Sequence, residues 1–128
     1  MERTQRTLDP WTYGDADMLG VDLTRGVDLA GFEVEAVDGG IGKVDEATYD
    51  VGSSFLVIDT GPWIFGKKVL IPAGIVERVD LDSQTVFVSR PKDEIKDSPE
   101  FDEATYRDET YRNRVGDYYG GSRDEPLV

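Results

Sequence analysis

Gly31-Phe32-Glu33-Val34-Glu35-Ala36-Val37-Asp38-Gly39-Gly40-Ile41 is the stretch whose reading decides the fold. Phe32, Val34 and Ala36 alternate with Glu33 and Glu35, the period of two expected of a strand with one face buried and the other in water. Asp38-Gly39-Gly40 then supplies a turn, because glycine reaches the positive φ angles of a tight hairpin without steric cost. Downstream, Ile41 to Tyr49 reads as the returning strand and Val51-Gly52-Ser53 as a second turn. Ser54 to Thr60 places Phe55, Leu56, Val57 and Ile58 on both faces and is expected to be the most buried strand. Gly61 to Gly66 is a loop, Lys67 to Pro72 alternates again, and Ile75 to Val79 with Thr85 to Ser89 forms a last hairpin around Asp80-Leu81-Asp82-Ser83. Short strands at roughly 8–12-residue spacing predict an all-β fold, a small barrel or sandwich of about six strands over residues 31–97. Closing such a sheet on itself would remove its edges.

The flanks differ in character. Residues 1–30 form a polar leader with Gly14, Gly20 and Gly26, expected to be partly ordered. Asp9-Pro10-Trp11 has the form of a helix cap followed by proline at the first helical position, and Trp11, Tyr13, Met18 and Leu19 are candidates to dock on the domain. Lys92 to Lys96 predicts a short helical turn. Residues 98–128 form a charged tail with Tyr106, Tyr111, Tyr118 and Tyr119, read as a marginal helix with a disordered tip. Glu103 with Arg107 and Asp108 with Arg112 have the acid-then-base spacing of four that supports a helix, but tyrosines five apart do not share one stripe.

The 128 residues suit one domain, and 14 basic against 27 acidic residues leave a formal net charge of −13. The leader, the strand region and the tail carry −3, −5 and −5, from six acids and three bases, ten and five, and eleven and six. No segment is a basic arm, and so negative a surface repels both phosphate backbones and anionic membranes. Direct nucleic-acid binding and membrane insertion are therefore not expected. With no Cys and no His, thiolate chemistry, the usual general base and the common zinc ligand sets are excluded. A polar N-terminus without an apolar run is no signal peptide, and the expected location is the cytoplasm.

Several motifs approach chemistry and miss it. Gly61-Pro62-Trp63-Ile64-Phe65-Gly66-Lys67-Lys68 nearly matches a phosphate-binding loop, but Lys68 stands where a hydroxyl must hold magnesium, and a strand follows instead of a helix. Asp15 to Gly20 opens like a calcium loop and then puts Leu19 at a ligand position. Asp45 and Glu46 are neighbours on a strand and point apart. The expectation is no catalytic residue, no metal site and no cofactor. The aromatic loop Trp63, Ile64, Phe65 is read as plugging a barrel end or as a contact surface, since aromatic side chains dominate interface hot spots. Tyr106, Tyr111, Tyr118 and Tyr119 pose the same choice, packing or recognition. These seven residues are the candidate interaction surface.

Gly31-Phe32-Glu33-Val34, Gly40 to Val44, Phe55 to Asp59, Gly66 to Pro72 and Lys92 to Pro99 together resemble the PRC-barrel family in order and spacing. The Trp63-Ile64-Phe65-Gly66-Lys67-Lys68 variant looks like its stand-alone bacterial, actinobacterial-type members. The resemblance implies a small, strongly bent β-barrel that binds or assembles and does not catalyse. It brings the expectation of a non-enzymatic protein-interaction module with a protein partner or a second copy, as a homodimer. The alternatives are a barrel binding a small molecule or metal ion, and a ribosome-associated adaptor by analogy with RimM, a member of the family.

Overall fold

The computed structural model describes residues 11–14, 19–23, 26–49, 54–61 and 67–121. Six strands form the domain: β1 (Glu33–Ala36), β2 (Gly39–Ala47), β3 (Phe55–Asp59), β4 (Lys68–Pro72), β5 (Val76–Asp80) and β6 (Thr85–Val88). They form one sheet in the order β4-β3-β2-β1-β6-β5. Every neighbouring pair is antiparallel except β1 with β6, which run parallel.

That order forces a strong bend. Laid flat, six strands spaced about 4.8 Å apart would hold the outer two roughly 24 Å from each other. Yet β4 and β5, the two edges, are joined by the single 3-10 turn Ala73–Ile75, and a chain of that length reaches at most roughly 14 Å. The sheet must roll up, and three bulges help it. Ile41, Asp45 and Glu77 are each an extra residue opposite one step of the neighbouring strand, and such insertions increase local twist and curvature.

The rolled sheet does not close, which corrects the expectation that closure removes its edges. β4 pairs with β3 only and β5 with β6 only. The corner between them spends its hydrogen bonds elsewhere: Ala73 N donates to Ser54 O at 3.1 Å, and Ser89 N donates to Ile75 O at 2.9 Å. A seam between β4 and β5 therefore remains in a barrel-like wall.

The register separates core from surface. Asp80, Thr85, Glu33, Lys43, Asp59 and Lys68 are successive cross-strand partners over all six strands and make one polar row. Val34, Val44, Ile58, Val69, Val79 and Val86, each beside a member of that row in sequence, are buried. β3 is buried on both faces from Phe55 to Ile58, as is β4 from Val69 to Pro72. For β4 the second cover comes from two helices lying against it, α1 (Lys92–Lys96) and α2 (Glu109–Gly121).

Helix α2 is held by one stripe. Tyr111, Val115 and Tyr119 are four residues apart and 2%, 0% and 0% exposed, the spacing that stacks side chains on one helical face. The tail from residue 109 to 121 is thus a thirteen-residue helix docked on the core. Tyr106 precedes it, so the spacing of five between Tyr106 and Tyr111 never had to fit a helical stripe. Gly116, Gly120 and Gly121, glycines expected to end any helix, lie within this one, and residues 122–128 at the end of the tail lie outside the described residues.

Gly42 shows how tightly β2 and β3 approach. Its φ is +146°, and a Cβ there would lie 2.1 Å from the Asp59 carbonyl oxygen. Gly31 has a φ of +87° with open space around it. Gly42→Ala is expected to destabilise the fold by about 3 kcal/mol or more, against about 1 kcal/mol for Gly31→Ala, where only the backbone conformation is strained. Urea unfolding of the two variants checks this, and equal losses would remove the close-contact explanation.

Candidate interaction surface

Trp63, Ile64 and Phe65 lie outside the described residues, as does Met18. The four tyrosines do not come together as one exposed patch. Tyr111 and Tyr119 are core residues of α2, and their rings face the interior. Tyr118 is half-buried, donates to the Glu94 carbonyl at 2.6 Å and meets Tyr119 edge to face at 5.0 Å. For these three, packing accounts for the aromatic ring.

Tyr106 belongs to a different arrangement at the surface. Its hydroxyl donates to Glu46 Oε1 at 2.9 Å and accepts from Arg107 Nε at 3.1 Å, while Arg107 also pairs with Glu46 Oε2. The ring packs on Phe101 at 4.9 Å and meets Phe55 edge to face at 6.1 Å. The Arg107 guanidinium lies 4.9 Å from the Tyr106 centroid, close enough for a cation–π attraction. Two further ion pairs continue this belt, Lys67 with Glu100 at 3.1 Å and Lys68 with Asp45 at 3.0 Å. Glu46 and Lys67 thus hold residues 100–107 against β2 and the start of β4, while Lys68 with Asp45 ties β4 to β2.

At the C-terminal end of α2, Arg90 fixes the last turn. Its guanidinium donates to Glu94 at 2.5 Å and to the Tyr119 carbonyl at 3.1 Å. A cation at the carbonyl end of a helix is favoured by the helix dipole. The leader docks as well. Leu19 is buried, and Trp11 and Tyr13 pack against the core. Tyr13 donates to the Thr48 carbonyl at 2.9 Å and stacks on Tyr49 at 5.9 Å, and Tyr49 Oη accepts from Leu29 N at 2.9 Å.

Each resolved shift in acidity has a plain cause. Burial pushes the Tyr13, Tyr49, Tyr106, Tyr111, Tyr118 and Tyr119 phenols up, Tyr111 to about 12. The hydrogen bond to Asp45 raises Lys68, and that to Tyr106 raises Arg107. The Ser83 backbone N–H lowers Asp80, which caps the β5–β6 turn. Among the described residues no group of three or more His, Cys, Asp or Glu side chains is placed to hold a metal ion, and no helix is long and apolar enough to cross a membrane.

Sequence reasoning gave Glu46, Phe101, Arg107 and Arg90 no place in a site, and it paired Arg107 with Glu103 along a helix where the structure pairs it with Glu46. The partners of Glu46 lie some sixty positions away, and no local spacing announces such a pair.

No family model matches the chain, and no curated protein matches it. Among solved structures, it is similar to a Pseudomonas aeruginosa protein described as the 16S ribosomal RNA processing protein RimM. The match has 20% identity and a TM-score of 0.43, and covers 51% of this chain and 42% of that one. The chain thus spans less than half the length of that protein, and a likeness at this level says nothing of what this chain binds.

The Tyr111 phenol ties pH to stability. The unfolded chain ionises this group near its ordinary 10.0, whereas the folded chain holds it neutral up to about 12. Its contribution is therefore complete below pH 10 and is lost as pH rises through that interval. Alkaline unfolding followed by circular dichroism is expected to move to higher pH in Tyr111→Phe, and a midpoint at lower pH would contradict the burial argument.

Proposed function

We propose that this chain is a non-enzymatic protein-interaction or assembly module built on a PRC-type barrel, acting in the cytoplasm on a protein partner or on a second copy of itself. One observation carries the reading. Among the described residues the charged side chains of the wall pair with one another, Arg107 with Glu46, Lys67 with Glu100 and Lys68 with Asp45, and the aromatic stripe of α2 is packed into the core. Here burial is spent on packing, and the charged side chains pair with each other at the surface.

A module of this kind presents a rigid wall and works through contacts on it. The belt of Glu46, Tyr106 and Arg107 and the polar row across the strands fit that role, because paired charges at a surface set register and exclude wrong partners more than they add affinity. The strong acidity favours a partner surface with basic groups and disfavours nucleic acid. The aromatic residues Trp63, Ile64 and Phe65 stay within this proposal as contact residues.

Tagged protein recovered from its native host is expected to carry a protein partner in fixed stoichiometry, reduced by Trp63→Ser with Phe65→Ser. Thermal unfolding in the presence of divalent cations and a panel of metabolites is expected to keep its midpoint. Stabilisation by a small molecule, with no protein recovered, would overturn the reading in favour of a ligand-binding barrel.

A further inference from the structure

Asp38-Gly39 is the one step in the sequence where an aspartate precedes a glycine, and it lies at the tip of the β1–β2 hairpin. Val37 and Asp38 form the two-residue turn between Ala36 and its partner Gly39. Both turn residues are exposed, Val37 at 63%. This step has a covalent chemistry of its own. The nitrogen of the following residue stands one ring closure from the aspartate γ-carbon, and glycine has no Cβ to obstruct the approach or restrict the backbone. Attack of the Gly39 nitrogen on the protonated Asp38 carboxyl forms the N–Cγ bond, and one water leaves, made from the carboxyl hydroxyl and the amide hydrogen. The resulting succinimide takes up one water. Opening at the γ-carbonyl returns aspartate, whereas opening at the α-carbonyl leaves the main chain running through Cγ, an isoaspartyl residue. Nothing is oxidised or reduced, and water is the only co-reactant.

The fold gives the same carboxylate a second task. Asp38 Oδ1 accepts from Lys92 N at 2.9 Å, 54 positions along the chain. Lys92 is the first residue of α1, and Pro91 before it supplies no side-chain cap. Asp38 therefore caps α1 from across the fold, satisfying one of the N–H groups a helix leaves open at its start. Val37 N donates to Arg90 O at 3.1 Å and fastens the turn at a second point. What α1 carries makes the cap matter: Ile95 is fully buried, while Glu94 meets Arg90 through its side chain and Tyr118 through its carbonyl.

We propose that Asp38–Gly39 is a site of spontaneous aspartate isomerisation, restrained in the folded chain by the bond from Lys92 N–H. While Lys92 holds Oδ1 and Ala36 pairs with Gly39, the two reacting groups are engaged elsewhere, and ring closure waits for the turn to open locally. Isomerisation then takes the acceptor from Lys92 and adds a backbone carbon to a two-residue turn. A change at the surface thus reaches α1 and, through Glu94, its contacts with Arg90 and Tyr118. Asp82-Ser83 and Asp97-Ser98 are internal controls, since the serine Cβ hinders the same closure.

Full-length protein aged at neutral pH, digested and mapped by fragmentation that separates isoaspartyl from aspartyl peptides, tests the site. Isoaspartate is expected at residue 38 ahead of residues 82 and 97, and at least about tenfold faster in denaturing urea than in the folded chain, because closure follows the population of the opened turn. Lys92→Pro removes the restraining N–H, and proline suits the first position of a helix. It is expected to speed the folded-chain reaction about tenfold, the factor a hydrogen bond to a carboxylate supplies. Lys92→Ala keeps the N–H and is expected to leave the rate unchanged. Where circular dichroism shows Lys92→Pro unfolded, Asp38→Asn takes its place: asparagine keeps the acceptor and closes to the same succinimide with loss of ammonia, so a mass change compares the folded and urea rates directly. No isoaspartate at residue 38 even in urea overturns the site. Equal rates in the folded and denatured chain, or in Lys92→Pro and Lys92→Ala, overturn the restraint.

Discussion

The connection between β4 and β5 is the constraint on which the rest of the structure depends. Three residues link the first and last members of a six-stranded sheet, so the sheet rolls. A rolled sheet of this size encloses a core that few side chains can fill, and the valines, leucines and isoleucines of β3, β4 and β6 fill it. The same short corner bonds to Ser54 and Ser89 and leaves β4 and β5 unpaired with each other. Curvature and open seam have one origin.

The seam in turn explains the flanking segments. A rolled sheet of about sixty residues buries too little surface to be comfortably stable alone. Tyr111, Val115 and Tyr119 from α2 and Leu19 from the leader all join its hydrophobic core. The acidic composition then appears where it costs least, on the outer row and in exposed belts, where each ion pair contributes little and mainly fixes position. Arg90, the most buried cation among the described residues, meets both a carboxylate and a helix-end carbonyl.

Much of the sheet was legible from local pattern. Alternation at Phe32, Val34 and Ala36 and the apolar run Phe55 to Ile58 are short-range signals that place six strands within a residue or two of where they lie; the hairpin signal Asp38-Gly39-Gly40 is also local, but the turn is Val37–Asp38 and both glycines pair within β2. What local pattern does not carry is which edge meets which. The parallel pairing of β1 with β6, the unpaired seam and the union of Glu46 with Tyr106 and Arg107 depend on residues far apart in the chain. Helix α2 was misjudged for a related reason: its stripe needs Val115, whereas the Glu103–Arg107 spacing and the tyrosines drew Tyr106 into a helix that begins after it, at Glu109. The aromatic side chains of Tyr111 and Tyr119 looked available for recognition because sequence shows chemistry and not burial.

The parallel pairing of β1 with β6 has a consequence for how the chain reaches this fold. Strands β1 to β4 are successive antiparallel neighbours, as are β5 and β6, so each group can form through nearby contacts. Glu33 meets Thr85 only after the chain between them has been gathered in, and that closure carries an entropic cost before any contact compensates it. The β1–β6 pair is accordingly the contact in this sheet that closes the longest loop, and the one most dependent on the rest of the wall to hold it.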